Sequence, residues 1–376
     1  MRAFLAMLVD AYRDLNSKKL FWVTLTISMI VVVFYGSIGF DEDGMSMFYG
    51  LWSIDSVWFT HGSPLSNILY RSIFSSFMVG IWLTWVAIIL ALISTAAIFP
   101  DFMSPGAIDV VLAKPIGRLR LFIYKYITSL LFVFVQVAIF CAGVFLCLGV
   151  RLGDWDWRVF LGVPVVLAFF SYLFAISVLV GTWTRSALTA LLVTMLAWAS
   201  LFAVNATEFI IDVNLKSSEV RIEQMQRFQD RDEQALARIP DTPETSNRRK
   251  MLTEQLEEQR APLDEAVRGV ARARRIQGFA RTVQRILPKT SETAELLNRW
   301  LVRETDIDVM DLLGGQIRQT AEGQWVSTDN SDDRKVRQRQ MEEIRSRSLW
   351  YVIGTSLLFE LLVLSGAAWK FCRRDY

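Results

Sequence analysis

The sequence predicts an all-α, polytopic membrane protein with six transmembrane helices, an N-terminal interfacial helix and an extracytoplasmic helical hairpin insert. Composition is the first reason: of 376 residues, 53% are hydrophobic and only 21% charged, too apolar for a soluble chain with a polar surface. The second is segregation of charge, because residues 212–347 hold most of the Arg, Asp and Glu while long stretches elsewhere hold almost none. The third is run length. A hydrocarbon core about 30 Å thick takes about 20 apolar residues as a helix, and six runs meet that length: 20–40, 73–99, 121–150, 159–183, 187–210 and 348–371.

Taken in order, residues 1–19 place Phe4, Leu8, Ala11, Tyr12 and Leu15 at helical spacing opposite Arg2, Asp10, Arg13, Asp14, Lys18 and Lys19. That is the pattern of a helix lying on a membrane surface. The first apolar run has no small-residue cleavage site behind it, so it reads as a retained helix. Residues 20–210 carry spans one to five, with the loop 100–120 between the second and third. Only Thr184, Arg185 and Ser186 separate the fourth and fifth runs, which makes them a tight hairpin. Residues 348–376 form the sixth span and a short tail. Trp22, Trp155, Trp157, Trp183, Trp350 and Trp369 stand near run ends, where an indole keeps its ring in the headgroup region and its N–H wet.

Lys and Arg in the short loops set the orientation. With the N-terminus inside, one side collects Arg2, Arg13, Lys18, Lys19, Lys114, Arg118, Arg120, Arg185, Arg373 and Arg374, against Arg71, Arg151 and Arg158 on the other. Both termini are therefore expected in the cytoplasm of a cell (inner) membrane protein, and residues 211–347 outside it. A net charge of +2, with acids and bases interleaved, gives no case for nucleic acid as a partner. Cys141 and Cys147 lie in one apolar run and Cys372 in the tail, which is no disulfide framework.

The 211–347 insert reads as mostly helical. Neither Gly nor Pro occurs between Gly181 and Pro240, so nothing forces the fifth span to stop at the membrane surface. At about 1.5 Å per residue, a continuation to Ile239 would form a stalk with Val220, Met225, Phe228 and Leu236 facing a second helix. That helix runs from about Asn247 to Leu287, with Leu252, Leu256, Leu263, Val267, Val270 and Val283 on one broad face and Pro262 as a kink site; Ile239 to Pro243 reads as the hairpin turn. Beyond Pro288, Ala294 to Arg303 forms a short amphipathic helix. Gln316 to Thr328 reads as a small β-hairpin, and a charged helix from Ser331 feeds the sixth span.

Catalytic signatures are missing. No Gly-rich loop ends in Gly-Lys-Ser/Thr to cradle phosphates, and the single histidine, His61, reads as a surface residue. Neither a zinc ligand set nor the groups of an intramembrane protease are present. The chain is not expected to be an enzyme, nor to hold a cofactor or metal of its own.

The loop from Pro100 to Arg120 is the most informative stretch. Gly106 is followed by the apolar run Ile108 to Leu112, which includes Val111, then by Lys114-Pro115, Arg118 and Lys125. This resembles the first cytoplasmic loop of type II ABC exporter permeases, the family that includes the copper-enzyme maturation permeases. The resemblance covers residues 1 to about 210 and the last span, and Ile286-Leu287-Pro288-Lys289 resembles a Leu-Pro segment that such permeases place outside. It implies that Ile108–Leu112 is a coupling helix seated in a cytoplasmic ABC ATPase, where ATP and Mg would bind, and that two permease copies work together in the lipid bilayer. Ser104, Pro105 and Ala107 depart from the family pattern of Glu before the Gly and Thr after it. The long hairpin departs as well, so no substrate is implied.

Glu360 stands inside the sixth span between Phe359 and Leu361. An ionisable group at membrane depth is costly and is retained for a path or an interhelical bond. Gln136 and Asn205 read as weaker versions that tie helices together. The rival reading is a membrane anchor that does not transport and transmits force or signal through the external helices to an envelope partner.

Overall fold

The computed structural model describes residues 19–42, 44–55, 60, 63–104, 106, 117–240, 246–284, 288–301, 317–319, 325–327 and 348–373. The N-terminal segment read as an interfacial helix, the core of the 107–116 loop, the Asp241–Thr245 part of the hairpin turn and the charged approach to the sixth span lie outside them.

Among the described residues six helices are long and apolar enough to cross a membrane: Lys19–Ser37, Leu65–Phe102, Arg118–Leu152, Trp157–Thr184, Ala187–Arg238 and Leu349–Arg373. The chain is thus a multi-pass membrane protein, mostly helical. It is not wholly α, because two small antiparallel sheets are present. We label the helices α1 (Lys19–Ser37), α2 (Pro64–Ile73), α3 (Ala87–Thr95), α4 (Ile98–Phe102), α5 (Arg118–Leu152), α6 (Gly162–Thr184), α7 (Ala187–Arg238), α8 (Ser246–Gln284), α9 (Thr290–Leu301) and α10 (Leu349–Arg373). Strands are β1 (Gly39–Asp41), β2 (Gly44–Met47), β3 (Trp52–Asp55), β4 (Ile317–Gln319) and β5 (Trp325–Ser327).

The second span starts earlier than its apolar run. Ser63 accepts the Leu65 N–H at 3.2 Å and Pro64 occupies the first turn, a start that needs no apolar residue. Arg71 is thereby placed inside a helix, and it is buried because its guanidinium meets Asp154 at 2.6 Å and Asp156 at 3.2 Å. Between α2 and α3 the backbone winds as a π-helix over Phe74–Val86, with the Thr84 hydroxyl donating to the Val79 carbonyl at 2.9 Å. A π segment this long is rare.

The described residues fall into two compact units. The first takes the residues up to Leu201, those of 288–328 and those of 348–376. In it α10 packs along α6, α1 along α5, and α9 against α6, the π segment and α10. Small residues let α1 and α5 approach: a Cβ on Gly143 would stand 2.7 Å from Val32, and one on Gly36 would stand 2.9 Å from the Cys147 sulfur. Arg185, with φ +55°, closes α6 in the left-handed region and Ser186 accepts the Thr189 N–H at 3.3 Å to start α7, a turn made without glycine.

The described residues of the second unit lie in 202–240 and 246–284. Its two helical stretches run antiparallel, as the cross-links descend on one while they rise on the other. Asp212 accepts from Gln277 at 2.9 Å, Glu219 from Arg274 at 2.7 Å, and the Ile239 carbonyl from Arg249 at 3.0 Å. Leu215, Val220 and Leu256 are buried. The expected apolar seam is narrower than the sequence implies, because Phe228 and Val267 are exposed. Polar and ionic bonds take over where those side chains turn outward. Helix α8 continues through Pro262.

Candidate functional site

The buried face of α10 is written by spacing: Val352, Ser356, Glu360, Ala367 and Phe371 are its buried residues, successively four or seven apart and so on one side of a helix. That side meets α6 and α5. Glu360 is 8% exposed. Its Oε1 stands 2.7 Å from the Tyr126 hydroxyl and its Oε2 2.8 Å from the Ser171 hydroxyl. Three spans therefore share one carboxyl, the third, fourth and sixth.

Counting protons shows what this cluster does chemically. Each hydroxyl has one hydrogen but two acceptors within reach: Tyr126 also faces the Ser171 carbonyl at 3.2 Å, and Ser171 the Ala168 carbonyl at 2.9 Å. Each hydroxyl can therefore turn from the carboxyl to a backbone carbonyl without leaving a buried donor bare.

One turn from Glu360, the Ser356 hydroxyl oxygen accepts the Lys289 N–H at 3.0 Å and donates to the Val352 carbonyl at 2.9 Å. Lys289 is buried as well, with its ammonium 3.0 Å from the centroid of the Tyr351 ring and 3.8 Å from Glu292. A cation over an aromatic face beside a carboxylate is well held out of water. Pro288 and Lys289 thus key α9 onto α10. Farther along α9, burial holds the Glu295 carboxyl above the usual carboxylate range, partly offset by the hydrogen bond from Asn298.

The loop positions proposed for coupling divide sharply. Gly106 is exposed with φ +87°, a conformation that suits glycine. Ile108, Val111, Leu112, Lys114 and Pro115 lie outside the described residues. Arg118 opens α5, and its guanidinium donates to the Cys372 carbonyl at 3.1 Å. Before the loop, α4 buries Phe99 and Phe102. Phe99 lies 5.1 Å from Phe122 and 6.2 Å from Phe174 between ring centroids, and Phe102 lies 6.0 Å from Phe371. Both flanks of the loop are therefore packed against the ends of α5, α6 and α10.

Comparison with family models, curated proteins and solved structures returns no match. Among the described residues no group of three or more His, Cys, Asp or Glu is placed to hold a metal ion. Gln136 is buried, but its side-chain oxygen makes no hydrogen bond, so that atom does not tie helices. Tyr126, Ser171 and Ser356 were not singled out from the sequence, and Lys289 stood out only as the end of the Ile286-Leu287-Pro288-Lys289 segment. Hydroxyls are common in spans, and only the i, i+4 pairing of Ser356 with Glu360 marks one of them beforehand.

Proposed function

We propose that this chain is the permease subunit of an ATP-driven exporter of the type II ABC class, working with a cytoplasmic ABC ATPase and a second permease copy. The observation that carries the proposal is the loop Gly106 to Arg118, with its apolar run closed by Lys114-Pro115. Its flanks support the reading: α4 and the start of α5 meet the aromatic cluster of Phe99, Phe122, Phe174 and Phe371. A displacement of the loop by a partner would be passed to three spans through packed rings, which transmit strain because cores are close-packed. Those same three spans meet at Glu360, whose cluster tolerates rearrangement of its hydrogen bonds.

Replacing Ile108 with Glu tests this. A charge on the seat of the loop should abolish co-purification with the ATPase and stimulation of its activity, while insertion in the membrane stays normal. Unchanged stimulation rejects the coupling role.

A second reading, a membrane device that transmits force and does not transport, is favoured by one feature. Helix α7 runs for 52 residues without interruption, far beyond the length needed to cross a bilayer. In this reading the ATPase remains the motor and the work is done outside the membrane.

A further inference from the structure

The three-stranded sheet that follows α1 has opposite chemistry at its two ends, and its register fixes which end lies beside α1. Strand β1 leaves the end of α1, and β2 returns antiparallel to it, with Gly39 opposite Ser46. The turn after β2 therefore comes back to α1. The Tyr49 N–H donates to the Ser37 carbonyl at 3.3 Å, and the Phe48 ring lies 5.7 Å from that of Phe34, a residue of the last turn of α1 that is itself exposed.

The side chains at this returning tip are large, apolar and bare. Leu51 is 89% exposed, Tyr49 68%, Trp52 64% and Phe48 45%. The far end of the sheet, by contrast, bears Asp41 and Glu42, with Asp55 of β3 opposite Gly44. Backbone conformation adds a second, independent mark. Phe48 and Tyr49 have φ of +53° and +59°, in the left-handed region that bulky residues rarely occupy. Glycine, asparagine or aspartate would relieve that strain, so holding two aromatics there keeps their rings at the tip at an energetic cost. The Arg151 guanidinium steadies the arrangement, donating to the Gly36 carbonyl at 2.8 Å and lying 5.7 Å from the Tyr49 ring.

We propose that the β2–β3 tip, Phe48 to Trp52, is an interfacial anchor that docks into the lipid leaflet at the C-terminal end of the first span. Lipid is the occupant because the tip continues the lipid-facing side of α1 through the Phe34–Phe48 contact. Tyr and Trp are the residues that favour the headgroup zone, and the acidic end of the sheet points away from it. The inference rests on the multi-pass reading alone and holds whichever side of the membrane this leaflet faces, with or without an ATPase partner.

The test uses the full chain in nanodiscs of phosphatidylcholine and phosphatidylglycerol, in a Cys147→Ser, Cys372→Ser background with the buried Cys141 left in place. Spin labels are attached at Leu51→Cys, at Glu42→Cys on the far end and at Phe34→Cys on α1, and collisions with oxygen and with a water-soluble nickel chelate are measured. The oxygen-to-nickel ratio at 51 should exceed that at 42 several-fold and group with that at 34. If Leu51→Cys fails to fold, Trp52→Cys carries the same expectation. A ratio at the tip equal to that at 42 overturns the anchor, since the tip is then in water. A tip shielded from both reagents, with spin–spin broadening between copies, overturns it in favour of a second copy of the chain.

Discussion

At the scale of single residues, Glu360 is where sequence and structure meet. Its place in an apolar run marked it as costly, and the cost is met by Tyr126 and Ser171 on two other spans. Glu360→Gln should assemble like the parent, because an amide still accepts one hydroxyl and offers a donor in place of the acid proton. Glu360→Leu leaves both hydroxyls with backbone acceptors only, so the loss should be about 1 kcal/mol, read as a lower thermal midpoint in detergent. Equal midpoints for Gln and Leu would show that the carboxyl contributes nothing to assembly; a Gln variant that folds normally but loses function would show that ionisation matters. Glu295 makes a prediction about pH. Burial raises its pKa above the ordinary 4.5, so the folded state favours the neutral acid. The associated stability is complete below the ordinary value and is lost as pH rises through the raised one. Glu295→Gln should flatten that decline and melt above the parent at neutral pH; a parent with no steeper slope than the variant rejects the shift as a factor in stability. Neither partner of Glu360 was legible beforehand, since a tyrosine and a serine in apolar runs are ordinary and only packing brings them together. Lys289 was visible only as the residue after a proline.

At the scale of elements, the spans were legible because period and run length are local properties, and the six helices follow the six apolar runs. What escaped was decided elsewhere. The second span reaches back to Pro64 because Arg71 finds Asp154 and Asp156, residues more than eighty positions away. The sheet after α1 escaped because its strands are three or four residues long, too short for alternation to stand out. The absence of glycine and proline, on the other hand, correctly anticipated an unbroken helix through Asn214 and Ser218, the place where polar residues made a loop easy. This continuity separates the two functional readings. Inserting three glycines after Ser218 breaks the helix at a cost of about 1 kcal/mol per residue relative to alanine and uncouples its ends. A device that transmits force through α7 should then lose function while expression stays normal, as measured in cells lacking the native protein. Full activity with the insert would reject mechanical coupling through the fifth span.

At the scale of the whole molecule, the six spans found among the described residues leave the side of the membrane to be set by charge, and we propose that the short loops set it: ten Lys and Arg residues on the side expected to hold the termini against Arg71, Arg151 and Arg158 on the other. Two of these three minority arginines are engaged by the fold. Arg71 is paired with two aspartates, and Arg151 donates to the Gly36 carbonyl from both Nε and a terminal nitrogen. They are therefore held by local partners, which weakens them further as topological signals and strengthens the bias from the other side. On that orientation Gln255, exposed on α8, and Asn330, which lies outside the described residues, are expected on the outer side, and Ser104, exposed beside the loop, in the cytoplasm. Cysteines placed at Gln255 or Asn330 should react with an impermeant maleimide on intact cells, and one at Ser104 only after permeabilisation. On that orientation Cys372 is an internal reference on the cytoplasmic side, so a Cys372→Ser background is needed for the first two sites and the parent Cys372 calibrates the third. Labelling of position 255 only after permeabilisation would invert the molecule, turn the loop 100–120 away from any cytoplasmic ATPase and remove the exporter reading with it, because a coupling loop on the wrong side of the membrane has no motor to meet.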